Sequence, residues 1–366
     1  MKIALVHEYL TQLGGGERVL SALCEMLPEA PVFTLIYDEK RTNGVFKSKK
    51  IHTSFLQKIP GAKKFFRGFI WLMPLAIEQF DLSDFDVVIS VSHSFGKGVI
   101  AKPSTKHICY CLTPTRYLWG NSYFPFKPFS QLLLTYLRNW DFQAAQRPDY
   151  FIACSENVKQ KIKKYYGRES EVIYPPVGMR MNQESRIMNY GPNSKSLILN
   201  SYFLMVGRLV PYKRFDIAVE TFSKLPDEKL LIIGDGPEYR KLKIKIQKSK
   251  LKNIQLIGHV SDSELFQYYA DCKALIFPQE EDFGIISVEA MASGRPVIAY
   301  RGGGAFETVK EGDTGTFFDK QTPESLAEAV RDFNPDRFNP QKIRDWANNF
   351  DKKVFKKKFT EFLSEI

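Results

Sequence analysis

No stretch of this chain stays apolar for long enough to cross a bilayer. A spanning helix needs about 20 consecutive apolar residues, and runs such as Val87-Val-Ile-Ser-Val91 are far shorter. The first run, Ile3 to Val6, is also too short for a signal peptide and gives way to a glycine-rich turn. A soluble cytoplasmic protein is expected, at most peripheral on the inner face of the plasma membrane. Cysteine is scarce: Cys24, Cys109, Cys111, Cys154 and Cys272 are all there is. An odd count without regular spacing excludes a disulfide framework and points to reduced thiols. Cys109 and Cys111 share one face of a strand, but no second Cys/His pair completes a metal site, so they read as core thiols. Acid is missing over one interval, Lys40 to Ile77, which holds nine Lys and Arg. No 20–50-residue repeat is visible. No helix-turn-helix, RNP-type or zinc module accompanies the basic residues, which argues against nucleic acid as the partner.

What is present describes a globular chain. Of 366 residues, 44% are apolar and 14% aromatic, enough for two domains with separate cores. Lys and Arg exceed Asp and Glu by 11, which favours an anionic partner. Short apolar runs at Lys2–His7, 32–36, 87–91, 107–111 and 150–154 alternate with helical spacing, starting with the helix expected from Arg18 to Leu27. The grammar restarts with strands expected at 202–206, 229–233, 254–257, 274–277 and 296–299. Between these, helical windows fall at 215–225, 236–249, 262–271 and 284–293. Strands alternating with helices predict parallel sheets covered on both faces. The expected organisation is a first α/β domain over 1–178, a linker over 179–199 and a second α/β domain over 200–338. A C-terminal helix over 339–366 would then pack its Trp346, Phe350, Phe355, Phe359 and Phe362 stripe across the domain junction.

Three segments carry chemistry. In the first, Phe277-Pro-Gln-Glu-Glu-Asp-Phe-Gly-Ile-Ile-Ser-Val-Glu289, a strand ends, three acids follow, and a helix begins near Gly284. Glu281 and Glu289 are eight positions apart, close to two helical turns, so both carboxylates can address one ligand. The amides of Phe283, Gly284 and Ile285 sit where a helix start binds phosphate, and Asp282 reads as an N-cap. The second segment is Val206-Gly-Arg-Leu-Val-Pro-Tyr-Lys-Arg214. Gly207 permits a tight turn, and Arg208 and Lys213 offer cations at a strand's carboxyl end, suited to pyrophosphate. Third, Gly14-Gly-Gly16 precede Glu17 and a helix, so Gly15 and Gly16 allow close backbone approach to an anion. Gly234-Asp-Gly236 reads equally as a turn or a phosphate loop. Asp84-Phe-Asp86 precedes its strand rather than following one, and reads as a turn instead of a metal site.

Glu281-x₇-Glu289, with Phe-Gly after the first acid and the flanking Ser-Val-Glu-Ala-Met-Ala-Ser-Gly-Arg-Pro-Val-Ile, resembles the signature of retaining GT-B glycosyltransferases of family 4. That resemblance implies two doubly wound Rossmann-like domains facing a central cleft and a nucleotide-sugar donor as substrate, with neither cofactor nor metal. Arg208 and Lys213 would then hold the diphosphate, Glu281 the sugar hydroxyls and Glu289 the ribose. Main chain near Val260 would rest the base, and the Gly15–Gly16 loop would close over the diphosphate. The segment Leu112-Thr-Pro-Thr-Arg-Tyr-Leu-Trp119 is similar to that of O-antigen mannosyltransferases, with Thr113 and Arg116 as sugar or acceptor contacts, and GDP-mannose is the first reading of the donor. It departs at Leu112, where His is expected. His93, ending a neighbouring strand, reads either as a partial substitute or as a packed histidine.

Other readings stand beside this one. A sugar-nucleotide epimerase of the same fold would not usually carry the Glu281/Glu289 segment. A phosphorylase-like enzyme would need a lysine set for pyridoxal phosphate, and a non-catalytic sugar-nucleotide-binding subunit would tolerate Leu112. On the acceptor side, the basic interval from Lys40 to Ile77 interleaves Phe65, Phe66, Phe69, Ile70, Trp71 and Leu72 with its cations. It reads either as a surface for an anionic membrane bearing a lipid-linked glycan, or as an ordinary core helix with solvated lysines.

Overall fold

The computed structural model describes residues 1–120, 130–178 and 202–366. The linker expected over 179–199 lies outside the described residues. The chain forms two compact units: Met1–Pro176 together with Lys352–Ile366, and Val177–Asp351.

The first unit is built on seven parallel strands: β1 (Ile3–Leu10), β2 (Val32–Tyr37), β3 (Ile51–Thr53), β4 (Val87–Ser92), β5 (Lys106–Cys111), β6 (Tyr150–Ala153) and β7 (Glu171–Val172). Their order is β3-β2-β1-β4-β5-β6-β7. The apolar runs become the central strands because both faces are covered: all six residues of β4 are buried, as are five of the six in β2. Ala4, Val6, Leu35 and Val88 pack on one side against Met73 and Ile77 of the helix Met73–Glu78. The second unit repeats the plan with β8 (Phe203–Val206), β9 (Leu230–Ile233), β10 (Ile254–Gly258), β11 (Leu275–Phe277), β12 (Val297–Tyr300) and β13 (Gly315–Phe318), ordered β10-β9-β8-β11-β12-β13. Its helices Phe215–Ser223, Tyr239–Lys248, Asp262–Asp271 and Ile285–Ala292 fall in the four windows read from periodicity. Phe203, Met205, Ile232 and Ile276 pack with Phe222 in one core. The strands that periodicity passes over, β3, β7 and β13, lie at sheet edges. An edge strand buries less, so Ile51-His-Thr53 and Glu171-Val172 carry no continuous apolar signal.

The tail is two helices rather than the single one expected over 339–366. Asn339 caps Pro340–Ala347 through its side-chain oxygen, which accepts from Gln341 N at 2.8 Å and Lys342 N at 3.2 Å. That helix belongs to the second unit, where Trp346 Nε1 donates to Thr308 O at 2.7 Å. After a turn at Asn348–Phe350 the chain extends at Asp351, and Lys352–Glu365 joins the first unit. There Phe355 meets Tyr110 edge-on, Phe362 meets Tyr150, and Lys352 and Lys356 pair with Glu25 at 2.5 and 3.0 Å. The aromatic stripe is thus divided: Trp346 and Phe350 serve one core and Phe355, Phe359 and Phe362 the other. Among the described residues no helix is long and apolar enough to cross a membrane. Asp86, on the turn into β4, accepts from Lys2 N at 2.7 Å, which gives the Asp84-Phe-Asp86 segment a structural task. All five cysteines are free, and Cys109 and Cys111 are buried on β5.

One charged network sits inside the first unit. Lys97 and Asp141 are both about 1% exposed, with Nζ 2.6 Å from Oδ1. Thr115 Oγ1 donates to the same oxygen at 2.6 Å, while Trp119 Nε1 and Tyr166 OH donate to Oδ2 at 2.7 and 2.8 Å. Lys97 Nζ also donates to Ser94 O. Asp141 therefore ties the 94–97 turn to the segment 112–119. Removing one member of a buried pair leaves an uncompensated charge, at a cost of about 3–5 kcal/mol. Asp141→Ala should lower unfolding stability by about that much in urea titrations, and Lys97→Met/Asp141→Leu should lower it by less than Asp141→Ala alone.

Candidate active site

In the second sheet the strand order reverses between β8 and β11. Connections from such a pair leave to opposite faces, which opens a crevice at the carboxyl ends where α/β sheets bind ligands. Gly207, Arg208 and Lys213 follow β8, and Gln279 to Ile285 follow β11. Arg208 is exposed. Lys213, on the short turn Pro211–Lys213, is buried, and its Nζ lies 2.7 Å from Glu281 Oε1, with their side chains 10% and 17% exposed. The sequence separates this pair by 68 positions; the reversal brings it together. Backbone packing fixes the floor. Gly234 N donates to Gly258 O at 2.8 Å, and a Cβ on Gly234 would stand 1.9 Å from Gly207 O, so only glycine fits there. The ends of β8, β9 and β10 are thereby linked. Half-buried Val260 lies between β10 and the helix capped by Ser261.

The acid loop leads into the helix Ile285–Ala292, whose N-cap is Gly284 at φ +88°. Asp282, expected as the cap, is instead buried two residues earlier. A left-handed residue there suits glycine, and the loop must also pass close to the glycine segment that follows β12. Gly304 N donates to Glu281 O at 2.7 Å, and a Cβ on Gly304 would lie 2.5 Å from Phe283 Cα. Glu289 is 5% exposed and accepts from Tyr269 OH at 3.0 Å, so the helix Asp262–Asp271 orients its carboxylate. Phe283 is buried against Phe350, ring centroids 5.5 Å apart. Tyr269 and Gly302-Gly-Gly304 were not singled out from sequence. Three glycines after a strand and before the helix Ala305–Thr308 repeat the pattern at Gly14–Gly16, and that was the available signal.

The first sheet reverses between β1 and β4, and a second group of polar residues lies there. Gly15 and Gly16 open the helix Gly15–Met26, and Gly14 N donates to Glu17 Oε2 at 2.9 Å. Glu8, near the end of β1, is fully buried. Its Oε1 accepts from Ser92 Oγ, His93 N, Ser94 N and Gly96 N at 2.8–3.0 Å. Its Oε2 lies 3.0 Å from His93 Nδ1 and 3.6 Å from His7 Nδ1. Burial would raise the Glu8 pKa, but the two imidazoles and the Gly96 N–H hold it well below the usual carboxylate range. For His7, burial opposes the charged ring; Glu17, 3.9 Å from Nε2, and Glu8 outweigh it and raise the pKa above the ordinary value. Glu17 is lowered, burial again being overcome by His7. Neither His7 nor Glu8 stood out in the sequence, because each reads as a polar residue interrupting a strand.

Leu112, half-buried, brings Cδ1 within 2.7 Å of where a Gly16 Cβ would stand, so it packs beneath the glycine loop. Thr113 Oγ1 donates to Pro114 O at 3.1 Å, and Arg116 starts the short helix Arg116–Trp119; both are half-buried. Their neighbours Thr115 and Trp119 are committed to Asp141.

Comparison with known proteins places these geometries. Residues 13–179 match the family Glycosyltransferase Family 4, and residues 199–353 match Glycosyl transferases group 1. An uncharacterized glycosyltransferase of Methanocaldococcus jannaschii is 27% identical over 98% of this chain and 94% of its own length. A capsular polysaccharide biosynthesis glycosyltransferase of Staphylococcus aureus is 30% identical over 57% of each chain. In fold, the chain is similar to the Anabaena protein HepE, crystallised in complex with UDP, at a TM-score of 0.75 and 17% identity over the whole of both chains. With a family 4 domain followed by a group 1 domain, on the two Rossmann-like sheets of the GT-B fold, the chain belongs to the glycosyltransferases.

Proposed function

We propose that the chain is a retaining hexosyltransferase that moves a sugar from a nucleotide-sugar donor to a cell-envelope glycan or lipid-linked oligosaccharide. The observation that carries the reading is the Lys213–Glu281 pair at the reversal of the second sheet. A sheltered ammonium suits an anionic leaving group, and an adjacent carboxylate suits sugar hydroxyls. Lys213 and Arg208 hold the departing diphosphate, helped by the amides of Phe283, Gly284 and Ile285. Glu281 grips the sugar and Glu289 the ribose. The β-phosphate takes the acceptor's proton on the same face of an oxocarbenium-like sugar, so no protein base, cofactor or metal is assigned a step. The resemblance around 112–119 and 280–307 supports GDP-mannose as donor; the UDP bound to HepE supports a uridine donor as the competing assignment. The capsular relative's name supports an envelope acceptor.

The acceptor side includes a surface. Across 62–77 the inner face, Ile70, Met73, Ala76 and Ile77, is buried in the core. The outer face exposes Phe65 (64%), Trp71 (53%) and Leu75 (58%) beside exposed Lys63, Lys64 and Arg67. The buried face suits the core reading of this segment and the exposed face suits the membrane reading. Exposed aromatics with cations suit docking of a cytoplasmic protein on the anionic inner leaflet, where a lipid-linked glycan is presented.

Lys213→Ala should reduce transfer at least about a hundredfold, near 3 kcal/mol, with the fold retained by circular dichroism; near-normal turnover would remove the diphosphate assignment. In thermal melts against GDP, UDP, ADP and dTDP with their sugars, GDP and GDP-mannose should stabilise selectively. Selective stabilisation by UDP would replace the donor, and none by any nucleotide at millimolar concentration would overturn the nucleotide-sugar reading. Vesicles containing anionic phospholipid should float the protein at low salt and release it as salt is raised, whereas absence of binding at low salt would count against the docking face.

A further inference from the structure

The carboxylate of Glu8 does two separable things. Oxygen Oε1 accepts four hydrogen bonds from the 92–96 turn and so helps to hold that turn. Oxygen Oε2 is buried and accepts no aligned donor, yet stands 3.0 Å from Nδ1 of His93. His93 follows β4 directly and is 36% exposed, with Tyr9 edge-on at 5.7 Å on one side and His7 at 6.0 Å on another. A carboxylate facing Nδ1 favours the tautomer with its proton on that nitrogen, leaving Nε2, across the ring, as an acceptor. This arrangement sits at the strand reversal of the first sheet, beside the Gly14–Gly16 loop, where a doubly wound sheet receives its ligand. Leu112, next to that loop, has no hydrogen-bonding group to offer.

We propose that Glu8 and His93 form a carboxylate–imidazole pair in which His93 Nε2 accepts a hydrogen bond from a hydroxyl of the sugar substrate. Glu8 acts as a positioning residue that fixes the ring's tautomer and orientation. The inference rests on the reading of the chain as a sugar transferase. It assigns no proton transfer: the hydroxyl keeps its proton, and the bond orients the sugar.

Glu8→Gln separates positioning from building. The amide oxygen can keep the four bonds of Oε1, while the amide nitrogen turns a donor toward Nδ1 and moves the ring proton to Nε2. Nitrogen NMR of His93 should report a proton on Nδ1 in the parent protein and on Nε2 in Glu8→Gln. Glu8→Gln and His93→Ala should each lower kcat/KM for transfer about tenfold or more, and the double variant should be no slower than His93→Ala alone. All three should keep the parent's stabilisation by nucleotide. If acceptor-free hydrolysis of the donor falls in parallel, the hydroxyl belongs to the transferred sugar; if only transfer falls, it belongs to the acceptor. His93→Ala turnover within about twofold of the parent, or effects of the two changes that multiply, would overturn the proposal, and His93→Ala decides alone if Glu8→Gln does not fold. A parent protein that binds no nucleotide would instead sink the transferase reading beneath it.

Discussion

Parallel pairing of β1 with β4, and of β8 with β11, is the constraint from which the polar cluster of each unit follows. Every strand in a parallel sheet must be followed by a crossover that covers one face. Where the order turns back on itself, neighbouring strands send their crossovers to opposite faces, and their carboxyl ends stay uncovered. Both sheets place their polar chemistry at that point. Gly207, Arg208 and Lys213 leave β8 opposite the acids that leave β11. The Gly14–Gly16 loop leaves β1 opposite His93 at the end of β4.

The buried charges divide by how completely they are satisfied. Asp141 receives Lys97, Thr115, Trp119 and Tyr166, and both of its oxygens are occupied. A carboxylate so saturated holds its surroundings rigid and has nothing left to offer a ligand. Glu8 is saturated at one oxygen only, and His7 Nε2 has no aligned partner although the ring is 1% exposed. Partly satisfied groups of this kind in a ligand-binding crevice are candidates for function. Lys213 and Glu281 are intermediate: paired with each other, but near enough to solvent for an anion and a hydroxyl to reach them.

Close backbone contact is the second theme. Within each unit, loops at the strand reversal approach each other through glycine: Gly234 against Gly207 O and Gly304 against Phe283 in the second, and Gly16 against Leu112 in the first. A side chain at Gly234 would displace the turn that carries Lys213, so the position of that cation depends on a residue with no chemistry of its own. Leu112 uses the space at Gly16 differently. It fills it with apolar contact, and the hydrogen-bonding capacity at the carboxyl ends of these strands passes to His93.

The strand and helix alternation, the restart near residue 202 and the Glu281–Glu289 segment were legible in the chain alone, because these are local patterns of periodicity and spacing. Lys213, Arg208 and Glu281 were legible as cations and acids at strand ends. That Lys213 and Glu281 touch was not, since a separation of 68 positions leaves the strand order open and only hydrogen-bonded pairing selects it. The edge strands β3, β7 and β13 escaped because half-solvated strands need no apolar run. The tail's break at Asp351 escaped because one helical period serves two different cores. Glu8 and His7 gave no sequence signal at all. Their roles exist only where the ends of β1 and β4 meet, in a low-dielectric interior that turns ordinary polar residues into a coupled charge cluster.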